Sequence, residues 1–215
     1  MKKRKFDLII FDFDGVLVEF RWEWIYEGYL EILKSEKIDP NKHFKNLSEF
    51  EKWGHDNGPA NFKLLKIKDR NKAYKIYYDS YNRHIHILLY VEDLLVNLSK
   101  AGYVMAIVTN RHARNTRSLL GHLSKYFSVI VGAEHVKKFK PDPEGINIVL
   151  EKLKAEKKRT IILGDSPFDM EAGKRAQIKT GAVTWEYGAR KLIELKRTKP
   201  DYIIENVTDF YELFL

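Results

Sequence analysis

Leu8-Ile9-Ile10-Phe11-Asp12-Phe13-Asp14-Gly15-Val16-Leu17 is an apolar run that stops abruptly in two acids and a glycine. Four consecutive apolar residues preceded by charge predict a short strand buried on both faces, the pattern of a parallel sheet interior. Beyond Phe11 the spacing matters as much as the composition. On an extended chain, residues two apart point to the same side, so Asp12 and Asp14 share a side while Phe13 packs away from them.

Downstream the pattern turns helical. Apolar and aromatic residues recur at helical spacing over Trp22 to Leu33 and again over Lys72 to Tyr81, where Tyr74, Tyr77, Tyr78 and Tyr81 fall on one face. Between them Ser48-Glu49-Phe50-Glu51 has the form of a capping box that starts a helix. Pro40, Gly54, Gly58 and Pro59 punctuate the region. From about residue 100 strands and helices alternate. Strands are expected at Val104 to Val108, Val129 to Val131, Thr160 to Leu163 and Lys179 to Val183, with helices at Leu119 to Tyr126, Gly145 to Leu153 and Met170 to Ala176. Such alternation implies right-handed crossovers, hence an α/β fold: a Rossmann-like, doubly wound parallel sheet with helices on both faces. The first strand belongs to that sheet. Residues 1–17 and 91–215 are therefore expected to form the α/β core, and 18–90 a helical domain inserted between the first strand and the rest.

Composition removes whole classes of chemistry. The 215 residues contain no cysteine, which excludes disulfide frameworks, thiolate zinc sites and cysteine nucleophiles. The 38 basic and 30 acidic side chains leave a formal charge of +8, but the lysines are interleaved with glutamates, as in Glu151-Lys152-Leu153-Lys154, and read as solvated faces. No nucleic-acid partner is expected. The start Met1-Lys2-Lys3-Arg4-Lys5 resembles the charged end of a signal peptide, yet its apolar stretch is cut short at Asp12, and no run approaches the ~18 residues of a membrane span. A cytoplasmic protein without a membrane partner, monomeric or homodimeric, is the expectation.

In an open parallel sheet, ligands bind beyond the carboxyl ends of the strands. The polar residues at those ends are Asp12 and Asp14 after the first strand, Thr109 and Asn110 after the second, Lys140-Pro141-Asp142-Pro143 after the third, and Gly164-Asp165-Ser166-Pro167-Phe168-Asp169 after the fourth. Carboxylates gathered at one rim repel unless a cation sits among them, and Mg2+ suits one or two carboxylates with water and phosphate oxygens completing its shell. Lys140, Thr109 and backbone amides supply donors for a phosphoryl group. With no cysteine and no G-x-x-x-x-G-K-[ST] loop, the nucleophile is a carboxylate or a metal-activated water.

These four motifs, in this order, resemble those of the haloacid dehalogenase superfamily of hydrolases over residues from about 5 to 190. Gly164-Asp165-Ser166 followed by Thr184-Trp185-Glu186-Tyr187-Gly188 is similar to its phosphoglycolate phosphatase branch, which carries a helical cap where 18–90 lies. The resemblance implies that Asp12 attacks phosphorus to form an aspartyl phosphate. It makes Asp14 the general acid for the leaving group and then the base for water. Magnesium is then held by Asp12, the Asp14 carbonyl and Asp165, with Asp169 supporting its waters. Thr109 and Asn110 are expected at the phosphoryl group, and Lys140 as the catalytic cation beside Asp12. The implied enzyme is a Mg-dependent phosphatase for a small phosphate ester, phosphoglycolate foremost, with pyrophosphate hydrolysis or phosphomutase chemistry as alternatives. A non-catalytic, nucleic-acid-associated role is the reading from another class, and the intact acidic set argues against it.

The helical insert carries 13 basic and 10 acidic side chains between residues 20 and 90, too balanced for a long polyanion. Arg21, and the run Lys63, Lys66, Lys68, are its candidate contacts to a small carboxylate. Glu19-Phe20 departs from the Asp-Ser pair common in the branch. His112 reads as a surface residue at a helix start, and His84-Ile85-His86 as flanking a hinge.

Overall fold

The computed structural model describes residues 4–57, 62–185 and 189–215. Met1-Lys2-Lys3, Gly58-Pro59 and Glu186-Tyr187-Gly188 lie outside them. The chain divides into two compact units, Met1–Glu19 with Ile87–Leu215, and Phe20–His86.

The first unit is built on six parallel strands: β1 (Leu8–Phe11), β2 (Val104–Val108), β3 (Val129–Val131), β4 (Thr160–Gly164), β5 (Lys179–Val183) and β6 (Tyr202–Ile204). Their order in the sheet is β3-β2-β1-β4-β5-β6, the doubly wound arrangement. β1 is central, with Leu8 opposite Val104 on one side and Thr160 on the other. That explains its unbroken apolar run. Leu8 and Ile10 face a core layer with Ile146 and Val149 of the helix Glu144–Leu153 and Ala172 and Ala176 of the helix Pro167–Ala176. Ile9 and Phe11 point the other way, equally buried, with Phe11 edge-on to Phe127. Further helices of this unit run over Val91–Lys100, Ala113–Leu120, Ala189–Arg197 and Val207–Phe214.

The second unit holds the first three helices, Trp22–Ser35, Leu47–Asn57 and Arg70–Asn82. Its core is aromatic: Tyr29 is fully buried with its ring 4.9 to 6.2 Å from those of Phe50, Trp53, Phe62 and Tyr77. Where the chain leaves the first unit and returns to it, the backbone is paired. Val18 bridges in parallel to Asp14 and antiparallel to Ile87, and the Leu88 N–H donates to Leu17 O at 3.1 Å.

Three elements differ from their expected form. The helix 47–57 is not started by Ser48. Asn46 caps it by accepting the Glu49 N–H at 3.0 Å, while Glu49 reaches back to the Lys45 N–H at 2.9 Å. The stretch expected as one helix at 119–126 is the end of the Ala113–Leu120 helix followed by a 3-10 segment, Gly121–Tyr126. β6 has no counterpart among the expected strands. Among the described residues no helix is long and apolar enough to cross a membrane.

Candidate active site

The rim at the carboxyl ends of β1, β2 and β4 gathers the acids. Asp12 follows β1 and continues its ladder by one residue, its N–H donating to Leu163 O at 2.8 Å. This fixes the residue at the sheet edge while its side chain stays buried. Asp165 follows β4 and is buried as well. One carboxylate oxygen each from Asp12, Asp165 and Asp169 lies within 4.8 Å of the others.

Asp169 reaches this group because of how the helix Pro167–Ala176 begins. Ser166 is its N-cap, Pro167 its first residue, and Asp169 completes a capping box: Oδ2 accepts the Ser166 N–H at 3.1 Å and its hydroxyl at 2.5 Å. The turn folds Asp169 back under the end of β4, so closely that a Cβ on Gly164 would lie 2.2 Å from the Asp169 Cβ. Only glycine admits that approach.

Lys140 closes the group. Its side chain is 5% exposed, and Nζ lies 2.7 Å from Asp12 Oδ1 and 2.5 Å from Asp169 Oδ1. The opposed carboxylates hold the Lys140 ammonium well above the ordinary lysine range despite its burial. Burial, with the charges of Asp169 and Asp165, pushes the Asp12 carboxyl up, against the pull of Lys140. Among the described residues, the three carboxyls when ionised outnumber the one ammonium set among them, that of Lys140, by two charges in a buried space. Hard oxygen donors with that deficit fit a divalent cation of the Mg2+ type.

Thr109 and Asn110 follow β2. The Thr109 N–H donates to Val131 O at 3.0 Å, extending the ladder, and Oγ1 accepts the Arg111 N–H at 3.1 Å, so its hydroxyl hydrogen remains for another acceptor. Asn110 is exposed, and its Oδ1 accepts the Lys140 N–H at 3.1 Å, tying the lysine loop to the end of β2. The Asp14 carboxylate is not in the three-acid group. It is paired with Arg111, Nη2 to Oδ1 at 3.0 Å and Nε to Oδ2 at 3.3 Å. Arg111 carries no local signal in the sequence, because what marks it is burial beside an acid ninety-seven positions away.

Outside this group, His112 precedes its helix and pairs with Glu134 at 3.4 Å. Arg21 belongs to the helical unit, just before its first helix, with its guanidinium 5.9 Å from the centre of the Trp24 ring. Lys63, Lys66 and Lys68 are exposed in that unit. His84 stacks on Trp24 and pairs with Glu27 at 3.1 Å, and His86 bonds the His84 carbonyl.

A parallel sheet of this order with acids after β1 and β4, a hydroxyl after β2 and a buried lysine between them defines a class of hydrolase. Residues 9–183 match the family model of haloacid dehalogenase-like hydrolases, and the chain belongs to that family as a hydrolase of the phosphoric-ester class. It is 34% identical over 218 residues to pyrophosphatase PpaX of Listeria innocua, covering 95% of this chain and 94% of that one. It is 30% identical over 215 residues to pyrophosphatase PpaX of Bacillus mycoides, covering 95% of each. In fold it is similar to CbbY from Rhodobacter sphaeroides, solved in complex with phosphate, with a TM-score of 0.77 over 94% of each chain at 20% identity.

Proposed function

We propose that the chain is a Mg-dependent phosphatase that hydrolyses a small phosphorylated metabolite through an aspartyl phosphate on Asp12. The observation that carries this reading is the two-charge deficit around Asp12, which suits a divalent cation and, with it, a phosphoryl group. Asp12, Asp165 and the Asp14 carbonyl would hold the cation, with Asp169 behind them. Once bound, it would neutralise the phosphoryl oxygens and lower the repulsion that Asp12 meets on approach.

Lys140 occupies one Asp12 oxygen and leaves the other for attack at phosphorus. The bond from Asp12 to phosphorus forms as the bond to the leaving oxygen breaks, and Asp14, which must enter this step in its protonated form, gives that oxygen its proton and is left as the carboxylate. Asp14 then takes a proton from water, which attacks phosphorus and releases phosphate and free Asp12. The Thr109 hydroxyl donates to the phosphoryl group, and Asn110 keeps Lys140 in place. Selection among esters is assigned to the helical unit, with Arg21 as the candidate contact to a substrate carboxylate.

Two substrates lead. Phosphoglycolate is implied by the resemblance of Gly164-Asp165-Ser166 and Thr184-Trp185-Glu186-Tyr187-Gly188 to the phosphoglycolate phosphatase branch. Inorganic pyrophosphate is supported by the naming of relatives about a third identical over nearly the whole chain. The experiment is a panel of pyrophosphate, phosphoglycolate, sugar phosphates, nucleoside monophosphates and 4-nitrophenyl phosphate, run with Mg2+ and with chelator. Turnover that needs the metal and falls by roughly 10⁴-fold or more in Asp12→Asn is expected. Turnover indifferent to chelator, or near-normal turnover by Asp12→Asn, overturns the mechanism.

A further inference from the structure

Arg111 is more tightly built in than its place after a loop asparagine suggests. Its side chain is 3% exposed, against 26% for Asp14, and both contacts to that carboxylate come from one face of the guanidinium fork. The guanidinium carbon lies 5.8 Å from the centre of the fully buried Phe13 ring, so the residue between Asp12 and Asp14 forms its floor. The backbone is held too. The Arg111 N–H donates to Thr109 Oγ1 and its carbonyl accepts the Ala133 N–H at 2.9 Å. Chain 132 passes so near that a Cβ there would lie 2.6 Å from the Arg111 carbonyl and 2.2 Å from the Ala113 nitrogen, and residue 132 is glycine.

A guanidinium in that position is costly to bury, and an apolar side chain of similar volume would pack there at lower cost. The partly exposed carboxylate, by contrast, needs no buried partner to be stable. The asymmetry assigns the pair to orientation. Two parallel N–H donors on two oxygens stop rotation about the last bond of the aspartate, which a single ammonium cannot do. Freed from the fork, a carboxylate two residues from Asp12 becomes available to Lys140 and to a bound cation, and is lost to proton transfer.

We propose that Arg111 is a positioning residue for the proton-transfer step, holding both oxygens of Asp14 in the orientation that serves the leaving oxygen and the hydrolytic water. The inference rests on the reading of Asp14 as acid and base given above. The test compares wild type, Arg111→Met, Arg111→Lys, Asp14→Asn and the double variant Asp14→Asn with Arg111→Met, on an alkyl phosphate that the wild type turns over and on 4-nitrophenyl phosphate.

Arg111→Met is expected to lower kcat on the alkyl ester by about 10²-fold and on the aryl ester by much less, since an activated leaving group hardly needs an acid. KM should stay within about twofold for both, and Arg111→Lys should recover little. Because Arg111 acts through Asp14, the double variant should lose no more than Asp14→Asn alone. Equal losses on both esters, a loss confined to KM, full recovery with lysine, or multiplying losses in the double variant would overturn the proposal. If Arg111→Met does not fold, Arg111→Lys carries the same comparison of esters, a uniform loss or none counting against it. An Asp14→Asn loss independent of leaving group removes the underlying reading as well. A leaving-group effect in Asp14→Asn but not at Arg111 removes this inference alone.

Discussion

Among the described residues Lys140 is the one cation set among the three buried acids, and its removal separates charge from shape. Lys140→Met keeps most of the volume but leaves Asp12 and Asp169 facing each other without a counter-charge. Breaking such a buried pair costs about 3–5 kcal/mol. Urea unfolding in chelator should show a loss of that order, and Mg2+ should restore part of it by replacing the missing charge. No loss in chelator would mean that the acids protonate at little cost. Asp12 and Asp165 are open to sequence reading because each directly follows an apolar run at a strand end, where parallel sheets display polar side chains, and Lys140 and Asp169 lie in the connections that follow β3 and β4. Arg111 is not open in this way, because its importance lies in burial and in a partner far along the chain. Asn110 also accepts the Lys140 backbone N–H, a contact across thirty positions that its place in the sequence does not announce.

Among elements, β2 to β5 stand where periodicity put them, because strands buried on both faces leave continuous apolar runs. β6 spans only Tyr202–Ile204, follows Pro200 and Asp201, and is too short for a pattern to register. The 3-10 segment at Gly121–Tyr126 escaped because apolar spacing does not separate i→i+3 from i→i+4 bonding over so few residues. The helix start at 47 shows a different ambiguity. Asn46-x-x-Glu49 and Ser48-x-x-Glu51 overlap in the sequence, and both have the form of a cap. Only the first makes the bonds. Asn46→Ala should therefore lower stability by about 1 kcal/mol, and Ser48→Ala by less than about 0.5 kcal/mol. Chemical denaturation of the whole chain distinguishes them, and the reverse ranking would restore Ser48 as the cap.

At the scale of the molecule, the two ends of the sheet hold charge differently. Opposite the acid group, at the amino ends of the strands, carboxylates are paired one to one. Asp7 before β1 meets Arg159 before β4, with Nη2 to Oδ1 at 2.6 Å. Asp201 before β6 accepts Lys179 Nζ at 2.6 Å and the Thr180 N–H at 2.9 Å, stitching β5 to β6. The hydrogen bond from Arg159 holds the Asp7 carboxyl below its ordinary range. Burial pushes the Asp201 carboxyl up, but the bonds from Lys179 and Thr180 outweigh it and leave it lowered. A carboxyl whose folded value lies below its unfolded one contributes stability that is present above the unfolded value and is lost as pH falls through the folded one. Both pairs are partly exposed, so each contribution is small and salt-sensitive. The melting temperature should fall as pH drops below about 4, and Asp201→Asn should flatten part of that fall. An unchanged acid limb in Asp201→Asn would place the acid sensitivity elsewhere.

The pairing of residues 17 and 18 with 87 and 88 has a consequence for inheritance. The chain leaves the sheet-bearing unit and re-enters it through backbone segments bonded to each other, so both ends of the excursion are fixed from one side. Segments whose ends meet in this way can be exchanged as a cassette without shifting the register of any strand. Under the proposed assignment, new esters can be acquired by replacing sixty-odd residues at a single splice while Asp12, Thr109, Lys140 and Asp165 pass on unaltered. The chemistry and the choice of substrate are thereby free to diverge at different rates within one gene product.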